Sequence, residues 1–197
     1  MAQCRRRHLP GTVPTMVAGR SGRKEALRDA VVRGLGAEVV SLAPVHGGDV
    51  AEAFRMTLAD GRTVFAKTHR RPPPDFFATE AAGLTWLRDA GTVAVPEVLA
   101  VLDDPPALVL EWIDEGRPGP TTEADLGRAL AALHAAGAPC FGREDRRTTG
   151  SRGLPNEPHD TWAGAFAANR LRPLARLARD EGALPESACR DLEAVAD

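Results

Sequence analysis

Asp60-Gly61-Arg62-Thr63-Val64-Phe65-Ala66-Lys67 is the stretch on which the fold turns. Asp-Gly between apolar, alternating residues is the strongest short hairpin signal, because the pair tolerates the positive backbone angles of a tight turn. The spacing predicts a strand over 62–68, the second arm of a hairpin, with Lys67 near its end. The residue type matters as much as the place. Of the 25 cationic side chains, 23 are arginine and only Lys24 and Lys67 are lysine. An ammonium is a compact point charge that fits among phosphate oxygens, whereas a guanidinium is a wide planar fork. A lysine kept at the end of this strand is either a surface residue on an edge strand or a phosphate contact, and its surroundings favour the second.

The elements on either side set that strand in order. Upstream, Ala26, Leu27, Ala30, Val31 and Leu35 form one stripe of a helix over 24–35, with Gly34 and Gly36 as its stop. Strands follow over 38–45 and 50–59, flanking the tight loop His46-Gly47-Gly48-Asp49. Downstream of a Pro72-Pro73-Pro74 loop, Asp75 is placed to cap a helix running to about Ala90. Strands over 97–102 and 107–113 are divided by the turn Asp103-Asp104-Pro105-Pro106. Residues 114–120 are a linker rich in Gly and Pro. The rest reads as helical: Glu123–Ala136, opening on Thr122 with Asp125 three residues on; then, after an irregular 138–157, about 160–180; then 185 to the end. Three strands, a helix, two strands and a run of helices make an α+β chain.

Two further features carry chemistry. Phe77, Ala81, Leu84 and Leu87 form the apolar stripe of helix 76–90, and Glu80 falls inside it. A carboxylate on a stripe that seeks burial is costly unless paired. Lys67, thirteen residues upstream, is its natural partner. The second feature is Leu108-Val109-Leu110-Glu111-Trp112-Ile113-Asp114, an apolar strand that runs straight into the linker. The Gly47-Gly48 pair supplies flexible backbone, yet fits neither a GxGxxG nor a GxxxxGK[ST] pattern, which excludes Rossmann and Walker sites here. The helix bearing Leu126, Leu130, Leu133 and His134 reads as a core helix, with His134 a packing residue.

Composition narrows the classes. A formal charge of −2 argues against a nucleic-acid-binding role, which needs a basic face. No apolar run approaches eighteen residues, so no membrane span is expected. Cys4, Cys140 and Cys189 are far apart and the five histidines are scattered, which gives no metal-cage signature and suits a reducing, cytoplasmic setting. Residues 1–23 carry Arg5-Arg6-Arg7 and no acidic side chain before Glu25, and read as a disordered extension or an early start codon, with Met16 the alternative.

Taken in order, Gly47-Gly48-Asp49, Val64–Lys67, Glu80–Leu84, Val95–Val98, Leu108–Ile113 and Leu130–His134 resemble the fructosamine (ketosamine) kinases, relatives of the aminoglycoside phosphotransferases with a protein-kinase-like fold. Phe141-Gly142, Asp160-Thr161-Trp162, Phe166 and Arg170–Leu174 resemble that family's substrate-lobe helix. The resemblance implies a small nucleotide-binding lobe over 24–113, built from a five-stranded antiparallel sheet with one helix. A hinge over 114–121 and the first helices of a large lobe over 122–197 would follow. It implies ATP and magnesium as cofactors. Lys67 would hold phosphates and Glu80 would orient it, with Gly47, Gly48 and Asp49 over the phosphates and Glu111, Trp112 and Ile113 lining the adenine pocket through backbone groups.

The family also uses an aspartate in a His-Gly-Asp loop, with an Asn five residues on. His159-Asp160-Thr161-Trp162 echoes that loop, but the fifth residue after Asp160 is Ala165, which cannot ligate a metal. Asp145 and Asp180 fail likewise, with Gly150 and Pro185 at the fifth position. No catalytic residue is therefore assigned to this chain. The catalytic aspartate and metal ligands are expected beyond Asp197, and the chain alone is expected to be an inactive fragment. The expected reaction of the whole protein is ATP-dependent phosphorylation of a sugar hydroxyl on a glycated amine or protein lysine. Rival readings are an aminoglycoside- or choline-type phosphotransferase and a non-catalytic nucleotide-binding remnant.

Overall fold

The computed structural model describes residues 20–46, 51–143, 148–149 and 152–197. Strands β1 (Val39–Val45), β2 (Glu52–Leu58), β3 (Thr63–Thr68), β4 (Val98–Asp103) and β5 (Pro106–Glu111) form one antiparallel sheet in the order β1-β2-β3-β5-β4. The β2–β3 hairpin turns at Gly61, whose φ of 89° needs glycine. There the Asp60 carboxylate accepts bonds from the Arg62 amide and side chain. That donor pair holds the Asp60 carboxyl below its ordinary pKa.

Alternation along the strands divides the sheet into two faces. Phe54, Met56, Leu58, Val64, Ala66, Ala107 and Val109 point one way and close over Leu27 and Val31 of helix α1 (Arg20–Leu35). Each large apolar side chain fully buried there contributes about 1.5–3 kcal/mol. Phe65, Lys67, Leu108 and Leu110 point the other way, where helix α2 (Phe76–Asp89) packs Phe77 and Ala81 against them. The helix expected over 24–35 is α1, and it covers the face of the sheet opposite α2. It begins at Arg20, within the stretch read as an extension, and residues 1–19 lie outside those described. Gly36, at φ 68°, ends α1. Gly34 stays inside the helix, where an added Cβ would meet Leu102 at 2.8 Å, so its role is close approach to β4.

Two caps expected from sequence are not made. Asp75 adopts a left-handed φ of 58° with no side-chain bond into α2, and only its carbonyl takes the Thr79 amide. The chain leaves the triple-proline loop in that left-handed turn, and the Asp75 carboxylate makes no cap. Helix α3 (Thr122–Ala136) starts at Thr122 itself, whose hydroxyl accepts from the Gly119 amide, while Asp125 pairs with Arg128. None of its residues is buried, and Leu126 is 52% exposed. The core packing expected of α3, with His134 a packing residue, is not made among the described residues: His134 lies on an exposed turn.

The helix expected over 160–180 is continuous but not uniform. It runs as α4 (Trp162–Phe166), a π turn (Ala167–Leu171) and α5 (Arg172–Asp180), and α6 (Glu186–Ala196) packs back on it. Thr161 caps it by accepting from the Gly164 amide at 3.2 Å. The π turn places Asn169 inward, 2% exposed, where its amide bonds both the amide and the carbonyl of Glu157. A short two-strand ladder pairs Thr148–Thr149 with Arg152–Gly153. Among the described residues no helix is long and apolar enough to cross a membrane.

Candidate functional site

Lys67 sits on the face of β3 that α2 covers, opposite Ala53 on β2 and Leu108 on β5. Leu108 is fully buried, so the strand beside the lysine is packed into the core. The Lys67 ammonium donates to both carboxylate oxygens of Glu80, at 2.9 and 3.0 Å. The pairing expected from the stripe is therefore made, and with bidentate geometry. Both side chains keep about a quarter to a third of their surface, 27% for Lys67 and 33% for Glu80. The pair is sheltered enough to be directional and open enough for the third ammonium proton to meet a ligand.

Phe76 completes this corner. Its ring lies 6.0 Å from the Lys67 ammonium, and it stacks tilted against His69 and edge-on against Phe77. His69 Nδ1 accepts from the Arg71 amide at 3.1 Å, which orients the imidazole. Sequence reading missed Phe76 because it is one more apolar residue at a helix start.

The far end of β5 is organised differently. Trp112 lies half-buried under the Arg55 guanidinium, 5.0 Å from its ring, and its indole N–H donates to Asp114. Arg55 shares the Lys67 face of the sheet, opposite Phe65. Ile113 is 54% exposed. The Glu111 carboxylate accepts from the Glu97 amide at 3.1 Å and stands near Arg88, so its side chain is already engaged. Val64 pairs with Glu111 and Lys67 with Leu108. Three residues of strand therefore separate the lysine from the β5 end, roughly 10 Å at 3.3 Å per residue. Gly47, Gly48 and Asp49 lie outside the described residues. No group of three or more His, Cys, Asp or Glu suited to a metal ion occurs among the described residues.

The segment after α3 returns to α2. Phe141 pairs with His159 across an isolated bridge, and the Arg143 guanidinium lies over the Trp86 ring at 5.1 Å. Farther along, the π turn carries Arg170, which donates to the Pro155 carbonyl and the Asn156 side chain. Trp162 and Phe166 stack at 4.8 Å on the outer side of α4, largely exposed.

Comparison with known proteins places this arrangement. A family model described as fructosamine kinase matches residues 26–196. A probable ketoamine kinase of Synechocystis is 34% identical over 149 residues, covering 73% of this chain and 50% of that protein. One of Thermus thermophilus is 36% identical over 147 residues, covering 75% and 51%. A chloroplastic protein-ribulosamine 3-kinase of Arabidopsis thaliana is 29% identical over 174 residues, covering 85% and 53%. Among solved structures, a candidate fructosamine-3-kinase of Thermobifida fusca matches with a TM-score of 0.78 at 33% identity, over 87% of this chain and 60% of that one. The chain spans about half the length of the curated relatives it matches.

Proposed function

The chain belongs to the fructosamine kinase family, and from that premise we propose that it supplies the nucleotide-holding part of an ATP-dependent kinase for ketosamines. The observation that carries this reading is the bidentate Lys67–Glu80 pair, a strand lysine oriented by a helix carboxylate beside a buried strand. In kinase-like folds such a lysine holds the α- and β-phosphates, and the carboxylate fixes its direction. On this reading 24–113 is the nucleotide lobe, 114–121 the hinge and 122–197 helices of a second lobe. Gly47, Gly48 and Asp49 complete the set of residues assigned to ATP on this reading.

The adenine edge is read by main-chain groups at Glu111-Trp112-Ile113. The engagement of the Glu111 carboxylate with the Glu97 amide favours backbone over side-chain recognition there. The roughly 10 Å from Lys67 to the β5 end suits a nucleotide lying along the sheet. The reaction moves the γ-phosphoryl from ATP to a sugar hydroxyl of a glycated amine or protein lysine. The bond to ADP breaks as the hydroxyl oxygen attacks, and the hydroxyl proton passes to a base. Neither that base nor a metal ligand set is assigned to a described residue. Magnesium bound to the nucleotide would supply charge compensation for the phosphates.

The test is an ATP-dependent thermal shift of the chain, with Lys67→Ala beside it. The shift is expected in the native protein and lost in the variant; an unchanged shift in Lys67→Ala would remove Lys67 from the site. Acceptor class is decided by following ATP-dependent phosphorylation of glycated lysine against an aminoglycoside and choline in the whole protein. Preference for either of the latter would overturn the ketosamine assignment.

A further inference from the structure

Helix α2 is fastened at two places, through Glu80 to Lys67 in its first half and through Arg88 at its last turn. At its last turn Arg88 donates to the Val95 carbonyl at 3.2 Å, and its guanidinium stands 3.9 Å from the Glu97 carboxylate and 3.8 Å from that of Glu111. Glu111 and Glu97 are themselves joined twice. The Glu111 amide donates to the Glu97 carbonyl at 2.9 Å, and the Glu111 carboxylate accepts from the Glu97 amide. One guanidinium thus ties the end of α2, the loop entering β4 and the last residue of β5. Without it, two neighbouring carboxylates would be left facing each other.

These groups are about half exposed, so the pairs contribute little to overall stability. Their leverage is geometric. Glu80 and Arg88 are eight residues apart, roughly 12 Å along a helix. Buried contacts hold the first half of α2 through Phe77 and Ala81, whereas its last turn buries no side chain. Phe77 and Ala81 lie on one stripe and leave the helix free to roll about its axis; a roll of about 20° would move the Glu80 carboxylate, roughly 6 Å from that axis, by roughly 2 Å, enough to break a 3 Å hydrogen bond.

We propose that Arg88 is a positioning residue: through Val95, Glu97 and Glu111 it sets the angle at which α2 presents Glu80 to Lys67. The claim about position stands on geometry; its consequence for nucleotide binding rests on the proposed function. It makes the end of β5, next to the adenine edge, and the phosphate lysine parts of one linked frame.

The chain's two lysines make the test direct, because labelling lysine with ¹⁵N yields just two side-chain ammonium signals, Lys24 and Lys67. Glu80→Gln marks where the Lys67 signal goes when its partner charge is lost. In Arg88→Met the Lys67 signal is expected to move about half that way while Lys24 stays, with the melting temperature within about 2 °C of native. ATP affinity is expected to fall about threefold, with no further loss when Arg88→Met is added to Glu80→Gln. Exchanging the charges, Arg88→Glu with Glu111→Arg, should return the Lys67 signal towards its native position. A Lys67 signal unmoved by Arg88→Met, or full additivity with Glu80→Gln, overturns the proposal. Should Arg88→Met fail to fold, Glu111→Gln breaks the same junction from the strand side and is judged by the same signal. If the native chain binds no ATP, the nucleotide reading fails, while the lysine signal still decides whether Arg88 positions Glu80.

Discussion

Helices α2 and α3 are close to equals on paper, 14 and 15 residues long with comparable apolar stripes, yet one is docked and the other is not. α2 sets Phe77 and Ala81 against Leu108 and Leu110, and that contact carries Glu80 to Lys67. α3 presents Leu126 and Leu130 outward and buries nothing among the described residues. An apolar stripe declares that a face needs a cover; it does not name the cover. The proposed function lies with the docked helix, since a carboxylate can orient a lysine only when the helix bearing it is held still.

The comparison breaks most visibly in the core. Leu108→Ala, beneath α2, is expected to cost about 2–5 kcal/mol in a urea melt, whereas Leu130→Ala on α3 should stay within about 0.5 kcal/mol. Equal losses would mean α3 is covered after all. Glu80→Gln sharpens the contrast on the docked side. It should lower stability by only about 1 kcal/mol, because the pair is partly solvated, while weakening ATP binding about tenfold by isothermal titration. A stability loss without an affinity loss would make the pair structural.

On the undocked side, Leu126→Glu with Leu130→Glu should leave the melting temperature nearly unchanged and reduce self-association by light scattering, since exposed apolar stripes seek partners. A chain that is monodisperse before the change would end that expectation. The smallest effect belongs to the β2–β3 turn. Bonds from Arg62 depress the Asp60 pKa, so its contribution is complete above the ordinary carboxylate range and is lost as pH falls through the lowered value. Asp60→Asn should remove that acid-side slope and leave neutral-pH behaviour close to native.

The legible parts of this site are those where local chemistry leaves few choices. Asp60-Gly61 predicts the hairpin because glycine alone takes the turn angle easily, and Glu80 on an apolar stripe predicts a cation because an unpaired carboxylate there is costly. The illegible parts depend on neighbours distant in sequence. In the sequence Arg88 is one arginine of 23, and only the folded chain brings Glu97 and Glu111 to it. Asp75 has the right residue type for a cap, but the chain enters α2 through a left-handed turn that wastes it.

By itself, then, the order of residues determined the strand sequence, the Lys67–Glu80 pairing and the α+β class, because periodicity and the cost of a stray charge are local properties of the chain. The tertiary structure alone decided which apolar faces are covered. It also decided that the helix over 162–180 carries a π turn to seat Asn169, and that α2 is tied at two places. Those outcomes depend on which surfaces meet, and a single stretch of sequence carries only one of the two surfaces.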